Sequence, residues 1–125
     1  MTWDWRSSEK RRRLLQIHRW LLKNFPVDAD PVTLHLHKLP LDDGQFLTFG
    51  KAKMWDHLEH PHAKVTLERR RDLGCLIDTL LHEHGHLDVW HLRGRKDHPD
   101  EWGLAYAKRY RAFYDEGGRK DSLKF

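Results

Sequence analysis

The chain contains a single cysteine and has no apolar run long enough to cross a membrane. One cysteine excludes an internal disulfide and a thiolate-rich zinc finger, and it fits a reducing compartment. The first residues lack a basic segment followed by an apolar one, so no signal peptide is predicted. We therefore expect a cytoplasmic protein with no membrane partner.

The chain also lacks internal repeats, linkers and low-complexity segments. At 125 residues, it is long enough for one domain with its own hydrophobic core. The sequence predicts a single domain over 1–125. We expect residues 1–6 to be a short lead-in and 117–125 to be a flexible polar tail.

Positive charge is in modest excess and is clustered. The 23 Lys and Arg residues outnumber the 19 Asp and Glu residues, which gives a formal net charge of +4. Such clusters can attract nucleic acid, and they are also typical of solvated helix faces. No nucleic-acid-binding motif accompanies them. The clusters are residues 10–13, residues 69–71, and the group Arg93, Arg95 and Lys96.

Hydrophobic periodicity predicts an α+β fold with the element order helix, three strands, helix, helix. Strict alternation over 32–37 predicts a strand with His35 and His37 on its polar side. Gly117 and Gly118 should stop the last helix. The predicted helices cover 8–24, 72–92 and 99–116, and the predicted strands cover 32–37, 45–51 and 63–68.

The most informative motif is H-E-x-x-H, which begins at His82 and lies within the second predicted helix. On a helix, His82 and His86 are one turn apart and can hold one Zn²⁺. Glu83 lies about 100° round the helix from His82, where it can reach a metal-bound water without being a ligand. The alternative is a pair of surface histidines beside a solvated carboxylate. His84 projects away from this pair and is expected at the core edge or the surface.

A catalytic zinc site needs a third protein ligand in addition to these two histidines. His98 is expected at the start of the last helix, where the chain can return to the metal. Glu101, one turn further on, is the rival third ligand. We favour His98 and keep Glu101 open.

Residues 98–102, with the sequence His-Pro-Asp-Glu-Trp, resemble a known element. It is the H-[GS]-x-x-[FW] element that follows H-E-x-x-H in SprT-like and related short metallopeptidases, which include small phage and mobile-element proteins. The resemblance implies a minimal zincin-like domain, with His82, His86 and His98 as zinc ligands and Glu83 as general base. A phage-encoded member would act in the host cytoplasm. The chain departs from the pattern in having proline at the second position.

These observations predict a zinc-dependent metallopeptidase that acts on a protein or peptide substrate. Glu83 would take a proton from zinc-bound water and pass it to the leaving amine. Tyr106 is the first candidate for oxyanion stabilisation, followed by Arg109 and Tyr110. We expect the substrate to lie along an edge strand near 65–68.

Two alternatives belong to other functional classes. One is a zinc-stabilised binding module without turnover, with nucleic acid as its candidate partner. The other is a helical interaction protein that binds no metal. A purely structural zinc site has no need of Glu83 and usually closes its fourth position, which favours the peptidase.

Overall fold

The computed structural model describes residues 5–40, 49–56, 59–92 and 99–125. Within these residues, the α+β prediction is confirmed: four α-helices accompany a three-stranded mixed sheet. None of the described helices is long and apolar enough to cross a membrane. The elements are α1 (Trp5–Asn24), β1 (Val32–His37), β2 (Gly50–Trp55), β3 (His62–Glu68), α2 (Leu73–Asp88), α3 (Pro99–Tyr114) and α4 (Gly118–Asp121).

Strand β3 lies in the middle of the sheet, with β1 parallel to it on one side and β2 antiparallel to it on the other. Because side chains alternate along a strand and paired residues share a face, the register gives the sheet one apolar face. Helices α1 and α2 pack against this face. Its buried members are Val32, Leu34, Met54, Ala63, Val65 and Leu67.

The second strand lies further along the chain than predicted. The sequence indicates a strand over 45–51, whereas β2 runs from Gly50 to Trp55, and residues 45–48 lie outside the described part. In β2, Ala52 and Met54 face the core, while Lys51 and Lys53 face solvent. The inward residues are small or unbranched, so they gave a weak strand signal beside the bulky Phe46 and Phe49.

Helix α2 is the central helix of the fold. The helical spacing of Leu76, Leu80 and Leu87 in the sequence predicts that they share the core side of the helix, and all three are buried. The Asp72 carboxylate caps the helix by accepting from the backbone N–H of Cys75 at 2.8 Å. The helix ends at Asp88 and a 3₁₀ turn covers Trp90–Leu92, so the predicted end at residue 92 is too late. Its fully buried leucines are Leu76, Leu80 and Leu81, and Leu87 is 2% exposed.

The carboxyl-terminal segment differs from the predicted flexible tail. Helix α3 ends at Tyr114, earlier than the predicted end at residue 116, and Gly117 follows with a φ of 91° in the left-handed region. Gly118, which was expected to stop the helix, is instead the first residue of α4. The following residues form α4 and a 3₁₀ turn, which pack against α1. Arg13 donates to the Ser122 hydroxyl and to the Arg119 carbonyl, each at 2.9 Å. These hydrogen bonds join residues more than 100 positions apart, which local polarity cannot indicate.

Two histidines form a hydrogen-bonded pair in the core. His18 on α1 is 3% exposed and His84 on α2 is fully buried, so His84 is neither at the core edge nor at the surface. The His18 Nδ1 and His84 Nε2 atoms are 2.9 Å apart, and His18 Nε2 is 2.8 Å from the Val32 carbonyl oxygen. Burial lowers the pKa of both rings, so both are neutral at neutral pH. The pair joins α1, α2 and β1.

The last residue of β3, Glu68, carries a buried carboxylate. Glu68 is 1% exposed and accepts two hydrogen bonds from the Arg70 guanidinium, at 2.6 and 2.9 Å. It also accepts from the backbone N–H groups of Leu39 and Arg70. The Arg70 guanidinium, together with these backbone donors, lowers the pKa of Glu68 to about 2, against the opposing effect of burial.

We predict that Glu68→Gln destabilises the fold at neutral pH. Because the folded-state pKa lies below the usual 4.5, the carboxylate stabilises the fold above about pH 4.5 and loses this effect as pH falls towards 2. Urea unfolding at several pH values should show the stability gap between parent and variant narrowing on acidification. Glu9→Gln is the control, since Glu9 pairs with Arg12 at the exposed surface and should cost little. A pH-independent gap, or equal effects of both variants, would contradict the prediction.

Candidate metal centre

His82, Glu83 and His86 come together on one side of α2. Potential ligand atoms of the three side chains all lie within 4.8 Å of one another. The His82 and His86 rings are nearly perpendicular, with centroids 4.8 Å apart. Glu83 is 6% exposed, and its Oε1 lies 3.3 Å from His82 Nδ1. Within the described part of the chain, this is the one group of three or more His, Cys, Asp or Glu side chains that could hold a metal ion.

Aromatic side chains of α3 pack beside these histidines. The Trp102 ring stacks on His86 at 4.9 Å between centroids and meets His82 edge-on at 4.6 Å. Its indole N–H donates to the His82 carbonyl at 3.4 Å. Tyr106 stacks on Trp102 at 5.9 Å and meets His82 edge-on at 5.7 Å. These contacts restrict the rotation of both imidazoles.

The histidine cluster opens into a cavity of about 280 Å³ between α2, α3 and β2. The cavity is bounded on the sheet side by the start of β2 and on the opposite side by α3. Its size and mixed polarity suit a peptide side chain or a short backbone segment. The lining residues are Phe49, Gly50, Asp78, Thr79, His82, Glu83 and Tyr106.

The protonation states of His86, in the histidine cluster, and of Tyr106, at the cavity, favour metal binding and hydrogen-bond donation respectively. Burial lowers the pKa of His86, against an opposing effect of Glu83, so the neutral ring offers a lone pair to a cation. Burial also raises the pKa of Tyr106, and the neighbouring Asp78 adds to this effect. Tyr106 therefore keeps its hydroxyl proton. The two-imidazole donor set fits Zn²⁺, which is commonly held by histidine nitrogen.

Two glycines allow the neighbouring elements to approach α2 closely. A Cβ at Gly85 would lie 3.2 Å from the Tyr106 backbone nitrogen, so α3 packs directly on α2 at this point. A Cβ at Gly50 would lie 2.6 Å from the Thr79 methyl group, so β2 also packs closely on the helix. The glycine inside the H-E-x-x-H motif therefore sets the distance between the histidines and α3.

Of the two candidate third ligands, only Glu101 is described by the structure. His98 lies outside the described residues. Glu101 lies in the first turn of α3, half-buried, and does not belong to the cluster of His82, Glu83 and His86. Tyr106 lines the cavity, as its predicted role requires.

Two expectations about the site, the role of Arg109 and the position of the substrate-binding strand, are wrong. Arg109 is 1% exposed and donates to the Asp88 carboxylate at 2.9 Å and to the Ala105 carbonyl, so it does not line the cavity. Residues 65–68 belong to the central strand β3, whose two edges are already paired with β1 and β2. The edge strand beside the cavity is β2 instead.

Several site residues were not predicted from the sequence. Trp102 begins an aromatic stripe that continues through Tyr106, Tyr110 and Tyr114 at intervals of four residues, which is a readable helical signal. Phe49 and Gly50 reach the cavity through strand pairing, which has no comparable local signal.

Comparison with protein-family models, with curated proteins and with solved structures finds no match to this chain. The resemblance to SprT-like metallopeptidases therefore depends on the motif residues alone.

We predict that Gly85→Leu forces α2 and α3 apart and lowers the free energy of unfolding by about 1–3 kcal/mol. Gly103→Leu on α3 is the matched control, because a Cβ there meets nothing within 4 Å and leucine favours helix. Chemical denaturation of both variants measures the difference. A Gly85→Leu protein as stable as the parent would refute the close-packing explanation.

Proposed function

We propose that the chain is a zinc-dependent metallopeptidase. The observation that carries this proposal is the convergence of His82, Glu83 and His86 within 4.8 Å beside an open cavity. A structural site would be expected to close its fourth position with protein ligands, whereas a catalytic site keeps one position open. His98 is the proposed third ligand, since Glu101 lies outside the cluster.

In this proposal, each residue has a distinct task. His82 and His86 hold the ion, which would supply an activated water and polarise the scissile carbonyl. Glu83 accepts a proton at its carboxylate and delivers it to the leaving amine. Tyr106, with its proton retained, donates a hydrogen bond to the developing oxyanion. Trp102 keeps both imidazoles oriented through its ring contacts.

The proposed substrate is a protein or peptide segment in an extended conformation. Strand β2 is an edge of the sheet, and its first residue, Gly50, lines the cavity. An extended peptide can pair, through main-chain hydrogen bonds, with the side of β2 that no other described strand occupies. Phe49, which is 46% exposed at the cavity, offers an apolar contact to a substrate side chain.

We predict about one zinc ion per chain in protein purified without a histidine tag, and none in the His82→Ala/His86→Ala variant. His98→Ala should lower zinc affinity on the order of tenfold or more, whereas Glu101→Gln should leave it unchanged, because only His98 is a proposed ligand. Metal analysis by mass spectrometry and competition with a chromogenic chelator measure both effects. Zinc loss in Glu101→Gln but not in His98→Ala would reverse the assignment of the third ligand.

We predict that Glu83→Gln retains zinc and loses hydrolysis of labelled casein by about a hundredfold or more, because proton transfer is removed. Tyr106→Phe should lower kcat on the order of a hundredfold with little change in KM, since the oxyanion forms only in the transition state. Lys120→Gln is the control for activity lost during purification, because Lys120 is an exposed residue of α4. Full activity of Glu83→Gln would overturn its role, and a zinc-loaded parent that cleaves neither casein nor other unfolded proteins would overturn the peptidase proposal.

A further inference from the structure

The sheet face opposite to α1 and α2 carries polar side chains along all three strands, and we call it the outer face. Strand alternation and register define its members. Lys53 lies directly opposite Lys64, and Lys51 lies opposite Thr66. The outer face consists of Thr33, His35, His37, Lys51, Lys53, Trp55, His62, Lys64, Thr66 and Glu68.

Positive charge on the outer face is not balanced within the described strands. The one carboxylate there, Glu68, is buried and held by Arg70. Lys51 and Lys53 are exposed, and in the described part of the chain neither they nor Lys64 form an ion pair. Like charges on opposed residues of neighbouring strands destabilise a sheet. The Lys53–Lys64 pair therefore costs stability unless an anion neutralises it.

The positive field extends beyond β2 and β3. Burial lowers the pKa of His35, and the charges of Lys64, His37 and Arg11 lower it further. Arg11 belongs to α1, so the positive field reaches from β2 across the sheet to the first helix. An anionic partner could therefore contact more than one element.

Flat rings lie among these lysines. Trp55 and His62 are stacked, with centroids 4.7 Å apart and planes at 15°. Lys53 Nζ lies 5.1 Å from the centroid of the Trp55 ring. His35 and His37 form a second stacked pair at 5.8 Å. Rings interleaved with cations suit a ligand that has both planar groups and phosphates.

We propose that the outer face binds single-stranded nucleic acid. Phosphates contact Lys51, Lys53 and Lys64, and a base stacks on the Trp55–His62 pair. Lys51 and Lys53 are about 7 Å apart along the strand, so each can take a separate phosphate of a flexible backbone. A duplex keeps its bases stacked inside, and an acidic peptide has no planar bases for the rings, so the single strand fits both features.

Two of the basic clusters visible in the sequence, residues 10–13 and 69–71, are less suited to this role, and the third, Arg93, Arg95 and Lys96, lies outside the described residues. Lys10 donates to the Arg69 and Arg71 carbonyls at 2.7 and 2.9 Å, and Arg70 holds Glu68. Arg13 is bound to the carboxyl-terminal segment. These side chains serve intramolecular contacts, whereas the lysines of the outer face come from positions spread over β2 and β3.

The test is fluorescence anisotropy of an end-labelled thymidine oligonucleotide with the full chain. Lys51→Gln/Lys53→Gln/Lys64→Gln should weaken binding by about tenfold or more and reduce the slope of log K against log salt by about 2. The matched control, Lys23→Gln/Lys120→Gln/Lys124→Gln, removes three exposed lysines elsewhere and should retain affinity within about twofold. Equal losses in both variants would attribute binding to net charge and overturn the proposal.

Two further measurements separate the single strand from other polyanions. Trp55→Ala should weaken binding about fivefold or more, and Trp55→Phe should restore most of it, because a ring is retained. Circular dichroism and thermal unfolding verify that each variant is folded. The proposal is overturned if the parent does not bind the oligonucleotide, or if a duplex or polyglutamate competes as well as the unlabelled strand.

Discussion

The packing of α2 between the sheet and α3 is the constraint on which the candidate site depends. With 3.6 residues per turn, burying Leu76, Leu80 and Leu87 against the sheet turns His82 and His86 towards the opposite side. Helix α3 approaches that side at Gly85 and brings Trp102 and Tyr106 to the imidazoles. The hydrophobic core and the cluster of His82, Glu83 and His86 are thus two consequences of one helix orientation.

The sequence predicts most of the fold where a local pattern is strong. Alternating branched residues indicate β1 and β3, and the leucine periodicity indicates α2 and its buried side. The predicted position of strand β2 is wrong because Gly50 and Ala52 contribute little to the hydrophobic pattern of the sequence. The carboxyl-terminal segment is missed because its packing depends on Arg13 and on the approach of Gly118 to Trp20, which are contacts distant in sequence.

In the candidate site, too, features that depend on local sequence spacing are predicted correctly, whereas features that depend on contacts distant in sequence are not. The spacing of His82, Glu83 and His86 along one helix is sufficient to predict their convergence. Tyr106, predicted from the sequence as an oxyanion donor, lines the neighbouring cavity. Strand order cannot be read from hydrophobic alternation, so the prediction of β3 as an edge strand is wrong. The expectation for Arg109 is wrong because a charged residue is usually exposed, whereas here the Arg109 side chain is buried and donates to the partly exposed Asp88 carboxylate.

The buried histidine pair also determines the direction of its own hydrogen bonds. The Val32 carbonyl can only accept, so His18 carries its proton on Nε2 and its Nδ1 must accept from His84 Nε2. The His84 Nδ1 atom is left as an acceptor without a partner among the described residues. Moving α2 by one turn would bring Leu80 or Asp88 to this position, and neither could donate to His18. The pair thus favours one register of α1 against α2, and the same register fixes the height of the turn that carries His82 and His86 above the sheet.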